Sequence, residues 1–170
     1  NTVTGIDYSE RAIAFAKAIN PHATFLAGSI TKLPFPDATF DVIFSFQVLE
    51  NIPLVELPSA IAELSRVLKP DGTFIATVPS MNRPMSTAHF QHFTKQSFEA
   101  MVGGSFRSET LLGQEHHTIV LHCIERVLHN RLWLLEPIAG WFNKGPFLAH
   151  WNRTTVEKGY NIVARCLHKE

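Results

Sequence analysis

Little in this sequence points to a cross-linked, membrane-spanning or nucleic-acid-coating protein. Only two of its 170 residues are cysteine. Cys123 and Cys166 stand too far apart for metal-ligand spacing and are too few for a disulfide framework, so two reduced thiols are expected. No apolar run reaches the ~18 residues that a transmembrane helix needs. There is no signal-peptide pattern, and a cytoplasmic location is expected. Charge of one sign is not in excess: 15 Lys and Arg balance 15 Asp and Glu. A chain without a basic surplus has little with which to neutralise phosphates, so no nucleic-acid partner is expected. Internal repeats and low-complexity segments are missing. So is an initiating methionine: the chain opens at Asn1, directly in a strand-like run, and an upstream segment is expected.

What is present suits one ordinary globular domain over residues 1–170, with 45% apolar and 18% charged residues. The β-prone run Thr2–Ile6 ends at Asp7. Ser9 then caps a helix whose apolar face is Ala12, Ile13, Ala16 and Ile19, and Asn20-Pro21 stops it. Thr24–Ala27 reads as a second strand, ending at Gly28. Leu33-Pro34-Phe35-Pro36-Asp37 is a loop, because prolines at alternate positions defeat both helix and ladder. The nearly continuous apolar run Phe40–Phe46 predicts a strand covered on both faces. A helix from about Pro58 presents Leu57, Ile61, Leu64 and Leu68 to a core. Lys69-Pro70-Asp71-Gly72 signals a turn, and Thr73–Val78 a further buried strand. Alternating strands and helices indicate an α/β fold with parallel strands.

The second half is organised differently. Thr94 caps a short helix with Phe98, Met101 and Val102 on one side, closed by Gly103-Gly104. Phe106–Leu112 reads as a strand, and Tyr160–Leu167 as a last one. Between them lies an aromatic, histidine-rich stretch: residues 116 to about 135 are helical in period, and Trp133, Trp141, Phe142, Phe147 and Trp151 follow. This 116–151 stretch is expected to cap a pocket, to mediate a homodimer or membrane-surface contact, or simply to extend the core. The domain thus divides into an α/β core (1–80), a following lid, helix and strand (81–115) with His89-Phe90-Gln91-His92 as the expected lid stretch, a helical aromatic-rich insertion (116–159) and a terminal strand (160–170).

The first chemical clue is Asp7, an acid at the carboxyl end of an early strand. In doubly wound folds ligands lie outside those strand ends, and an acid there can accept hydrogen bonds from both hydroxyls of a ribose. A turn-capping aspartate is the plainer alternative. Gly28-Ser29-Ile30, Leu33-Pro34-Phe35-Pro36-Asp37, Phe40-Asp41-Val42 and Leu68-Lys69-Pro70-Asp71-Gly72-Thr73 follow in order. Together they resemble the class I S-adenosylmethionine-dependent methyltransferase family, in its small-molecule branch. The resemblance covers roughly residues 1–80, and extends loosely through His92-Phe93-Thr94 to the terminal strand.

The resemblance implies a Rossmann-like, doubly wound, mostly parallel sheet of seven strands with an antiparallel last strand. The family's first strand and glycine-rich loop would precede Asn1, leaving a slot between the strand ending at Asp7 and the one ending near Phe46. Without such a segment no useful cofactor binding is expected. The resemblance further implies S-adenosyl-L-methionine as cofactor, with Asp7 on its ribose and Tyr8 against the adenine face. Ser29 and the backbone of Ile30 would meet the adenine edge, and Phe46 and Gln47 the methionine portion and the methyl. Ser29 stands where the family usually has aspartate. The acceptor would be a small molecule or a lipid-linked or glycan precursor, methylated on oxygen, nitrogen or carbon.

Methyl transfer asks mainly for alignment and exclusion of water, with a base where the acceptor carries a proton. Glu50 and His92 are the catalytic candidates, with His89 beside them. Gln47-Val48-Leu49-Glu50-Asn51 resembles the Glu-x-x-Glu-His pattern of metal-assisted O-methyltransferases, but Gln47 and Asn51 replace two of the three ligands, so no catalytic metal is expected. A nicotinamide-dependent oxidoreductase and a non-catalytic methyltransferase-like partner module are the rival readings.

Overall fold

The computed structural model describes residues 2–114 and 153–169. Cys123 and the insertion as far as Trp151 lie outside the described residues, with the homodimer contact expected there. The described elements run β1 (Thr4–Asp7), α1 (Glu10–Ile19), β2 (Thr24–Ala27), β3 (Phe40–Phe46), a single 3-10 turn (Leu49–Asn51), α2 (Leu57–Val67), β4 (Leu68–Pro79), α3 (Lys95–Val102), β5 (Phe106–Gln114), β6 (Arg153–Thr154) and β7 (Asn161–His168).

Local chemistry explains the helix boundaries. The Ala12 amide donates to Ser9 Oγ at the start of α1, with Glu10 in the first turn and Lys17 in the last, each favourable to the helix dipole. In α2, Pro58 sits in the first turn, and Leu57, Ala60, Ile61, Leu64 and Val67 form one buried stripe. Thr94 and Ser97 cap α3 reciprocally: each side chain accepts from the other's backbone amide, at 3.0 and 2.9 Å.

The strands form two sheets among the described residues where one of seven strands is expected. β1 and β2 pair in parallel, from Thr4 with Thr24 to Asp7 with Ala27. The other five are ordered β3-β4-β7-β5-β6. β3 and β4 are parallel, while β7 lies antiparallel between β4 and β5. The antiparallel last strand is therefore found, wedged inside the sheet. The turn expected at Lys69–Gly72 is instead an irregularity within β4. Phe40 pairs with Leu68 and Val42 with Thr73, so the residues around Pro70, which has no amide hydrogen to give, bulge from the ladder.

The core lies between this sheet and helices α2 and α3. Phe74, Ala76 and Val78 of β4 alternate inward, as do Ile162, Ala164 and Cys166 of β7. Phe98 and Phe106 join them, and the Phe74 and Phe106 rings stand 5.1 Å apart. β3 departs from its expected cover on both faces. Ser45 is buried, but Val42, Phe44 and Phe46, alternating on the opposite face, are 44%, 60% and 58% exposed.

Candidate active site

The carboxyl ends of β1 and β2 bring the first group of site residues together. Asp7 is the last residue of β1, and pairing with Ala27 sets it beside Gly28, whose amide donates to the Asp7 carbonyl at 2.9 Å. Its side chain helps turn the chain into α1: the Ser9 amide donates to Oδ1 at 2.8 Å. Oδ2 has no partner among the described residues. Tyr8, the next residue, is 87% exposed. Ser29 is tied into its own turn, with Oγ accepting from the Thr31 amide at 3.2 Å and lying 2.8 Å from Thr31 Oγ1. The Ile30 side chain packs against the core, and its amide makes no hydrogen bond among the described residues.

The Leu33–Asp37 loop is held by two residues of α2. The Arg66 guanidinium donates to both Glu63 oxygens (2.7 and 2.8 Å), to Asp37 (2.8 Å) and to the carbonyls of Phe35 (2.8 Å) and Leu33 (3.1 Å). Glu63 in turn accepts from the Leu33 amide at 2.8 Å. Hydrogen bonds from Arg66, then the Leu33 amide, hold the Glu63 carboxyl at about 2. The planar fork of arginine lets one side chain bind carboxylates and loop carbonyls together.

A second group gathers at the end of β3. Gln47 follows Phe46 at φ 53°, a left-handed conformation that costs free energy for a residue with a Cβ. Its surroundings fix it there. The Gln47 amide donates to the Thr77 carbonyl at 3.0 Å, and its carbonyl accepts from Asn51 Nδ2 at 3.0 Å. Its side-chain Oε1 accepts from Arg83 Nη1 at 2.8 Å, and the same nitrogen lies 3.3 Å from Asn161 Oδ1 of β7. The rings of Phe44 and Phe46 are 5.4 Å apart and largely open to solvent.

Glu50, in the 3-10 turn just beyond, is wholly buried, and neither carboxylate oxygen has a partner among the described residues. Burial pushes its carboxyl above the ordinary value, opposed by its own backbone and by the Arg83 charge. The returning segment 89–92 closes over this turn. The Phe90 amide donates to the Glu50 carbonyl at 2.9 Å, and Gln91 Nε2 donates to the carbonyls of Leu49 (3.1 Å) and Ile52 (3.2 Å). His92 is buried with both ring nitrogens engaged, 3.1 Å from the Arg83 carbonyl and 2.9 Å from His89.

The fold therefore brings Gln47, Glu50 and His92 into one cluster, and Asp7, Tyr8, Ser29 and Ile30 into another. Sequence reasoning missed Arg83, Gln91 and Asn161. Arg83 and Gln91 are lone polar residues of a loop and Asn161 opens strand β7, and only the packing of distant segments gives each its partner. Among the described residues no three His, Cys, Asp or Glu side chains converge on a point suited to a metal. No described helix is long and apolar enough to cross a membrane.

Comparison with known proteins bears on the fold and the family. A family described as methyltransferase domain matches residues 1–76. A probable S-adenosylmethionine-dependent methyltransferase of Mycolicibacterium smegmatis is 30% identical over 122 residues, which are 67% of this chain and 47% of that protein. The chain thus spans about half the length of that relative. Among solved structures, a SAM-dependent methyltransferase of Methanosarcina mazei superposes with a TM-score of 0.65 at 18% identity, covering 99% of this chain and 82% of its own. The N-methyltransferase NodS of Bradyrhizobium japonicum, in complex with S-adenosylhomocysteine, gives a TM-score of 0.63 at 14% identity, covering 99% and 67%. At such identities the two structures speak for the fold alone. Ordered motifs, strand arrangement and matched relatives support a class I S-adenosylmethionine-dependent methyltransferase family.

Proposed function

We propose that the protein transfers a methyl group from S-adenosyl-L-methionine to a small-molecule or lipid- or glycan-precursor acceptor. The supporting observation is the tip of β1. Among the described residues Asp7 Oδ2 and the Ile30 amide have no partner, and Tyr8, next to Asp7 in the chain, is exposed. These groups fit a nucleoside: acceptors for a ribose diol, a flat surface for a base, and a donor for its edge. Asp7 would hold the ribose, Tyr8 the adenine face, and Ser29 and Ile30 the adenine edge. Phe46 and Gln47 would face the methionine portion. Because Ser29 Oγ serves its own turn, the Ile30 amide carries more of the recognition at that edge.

The bound cofactor supplies an electrophilic methyl on a sulfonium. The protein's part is to fix the acceptor and keep water away. The Arg83 clamp holds Gln47 in its strained backbone, and the segment 89–92 covers the turn beneath it. Glu50 is sealed from solvent in this structure, and His92 has no free nitrogen, so both support the site from below. The tie between Ser29 Oγ and Thr31 favours the rival reading, a non-catalytic module that binds cofactor weakly or not at all.

Calorimetric titration of the full-length protein with S-adenosylhomocysteine separates the two. Micromolar affinity is expected. Asp7→Asn, which preserves the acceptor for the Ser9 amide but removes the charge, should weaken binding by tenfold or more with an unchanged unfolding temperature. A wild type that does not bind, or an Asp7→Asn variant that binds equally well, overturns the proposal.

A further inference from the structure

The two histidines beside the end of β3 form a hydrogen-bonded chain with a direction. His92 Nδ1 lies 3.1 Å from the Arg83 carbonyl oxygen. A carbonyl only accepts, so this nitrogen carries the hydrogen. In neutral His92, Nε2 is then an acceptor, and it lies 2.9 Å from Nδ1 of His89. That nitrogen must donate. The hydrogen of neutral His89 is thereby fixed on Nδ1, and Nε2 keeps its lone pair with no partner among the described residues. Which nitrogen of an imidazole is basic is set by what the other one bonds.

Position matters as much as tautomer. The neighbouring Phe90 amide is bonded to the Glu50 carbonyl, and Arg83, whose carbonyl starts the chain, also grips Gln47. The pair is thus anchored to the carboxyl end of β3, where ligands bind in this class of fold. His92 is 8% exposed and held at both nitrogens, and Glu50 is fully buried. His89 alone of the three combines partial exposure with an unengaged basic atom. The titratable and charged groups that act on it are His92 and the Arg83 guanidinium; burial first, then these two, push its imidazole below the ordinary value and keep it neutral near pH 7.

We propose that His89 is the catalytic base that removes the acceptor's proton, and that His92 is a positioning residue that holds it in the competent tautomer. This rests on the methyltransferase reading above. The acceptor's O–H or N–H proton passes to His89 Nε2. The electron pair left on the acceptor atom forms the bond to the methyl carbon, while the carbon–sulfur bond breaks and its pair goes to sulfur. The positive charge gained by His89 is stabilised through Nδ1–H by His92. An acceptor that carries a removable proton on oxygen or nitrogen is implied.

The test is nitrogen NMR of the histidine-labelled full-length protein near pH 7.5, with and without S-adenosylhomocysteine. His89 should show a protonated Nδ1 and a bare Nε2, and His92→Phe should let it revert toward the Nε2–H form. Diethyl pyrocarbonate should modify His89 ahead of His92. With labelled S-adenosylmethionine and a panel of phenol, alcohol and amine acceptors, His89→Gln should lower kcat by about 10²–10⁴-fold. It should also abolish the acid limb of the pH profile and leave S-adenosylhomocysteine affinity within twofold. His92→Phe should shift that limb at unchanged KM. An Nε2–H tautomer in the wild type, or a His89→Gln enzyme that keeps its kcat and acid limb, overturns the assignment while the methyltransferase reading stands. A wild type that fails to bind S-adenosylhomocysteine overturns both.

Discussion

Replacing Glu50 by glutamine should stabilise the protein at neutral pH and do nothing in acid. The carboxylate is fully buried and neither oxygen finds a donor among the described residues, so the folded state holds it against a desolvation cost that the unfolded chain does not meet. Its carboxyl is accordingly raised above the ordinary value. For an acid shifted upward, the folded state binds the proton more tightly than the unfolded one. Stability from this group is full below the unfolded value and is lost as pH rises through the folded one. Glutamine has the same shape and never ionises. Its amide is left as poorly bonded as a neutral carboxyl, so the gain is the difference between a buried charge and a buried neutral group. An unsatisfied buried polar group costs about 1–3 kcal/mol, more if charged, and the Arg83 charge offsets part of this. A gain of about 1–2 kcal/mol at pH 8 follows, or ~2–6 °C in Tm for a domain of this size. Thermal unfolding of both proteins between pH 4 and pH 8 should give curves that coincide at the acid end and separate as pH rises. A variant that is less stable at pH 8, or one whose difference from wild type is the same at every pH, would show that the carboxylate has a partner and would refute the reasoning.

Glu63 should behave in the opposite sense. Its carboxyl is held at about 2 by Arg66 and the Leu33 amide, so its contribution is present above the ordinary carboxylate value and lost as pH falls toward 2. Glu63→Gln should cost about 1 kcal/mol near pH 7, read as a lower urea midpoint, with the gap to wild type closing toward pH 2; a gap that persists there would contradict the assignment. Cys166 is buried, and desolvation pushes its thiol to about 11, so thiolate reagents should leave it unlabelled in the native protein at pH 8 and label it on unfolding. Peptide mapping after iodoacetamide checks this, and rapid native labelling at Cys166 would refute the burial.

What the sequence reveals, and what it withholds, follows from the range of each interaction. The stripe Leu57, Ile61, Leu64 and the caps Ser9 and Thr94 are decided within one or two helical turns, and they stand where local periodicity puts them. The loop at Pro34 and Pro36 is equally local, because a missing amide hydrogen is a property of the residue itself. The hook that holds the loop was half legible. Glu63 and Arg66 lie off the apolar stripe at i,i+3 spacing, which marks an ion pair. Nothing local says that the same guanidinium reaches two carbonyls some thirty residues earlier. The site is less legible still. Gln47 meets Arg83 and Asn161 only because β3, β4 and β7 lie side by side and the chain after β4 folds back over their ends. The roles proposed for His89 and His92 depend on one backbone carbonyl, that of Arg83, placed within reach of a ring nitrogen. Composition and spacing make the two histidines equal candidates, and a single acceptor oxygen makes them unequal. That is why the sequence nominates His92 and His89 is the base we propose: a residue whose every lone pair and hydrogen is already spent can direct a proton but has no atom with which to take one.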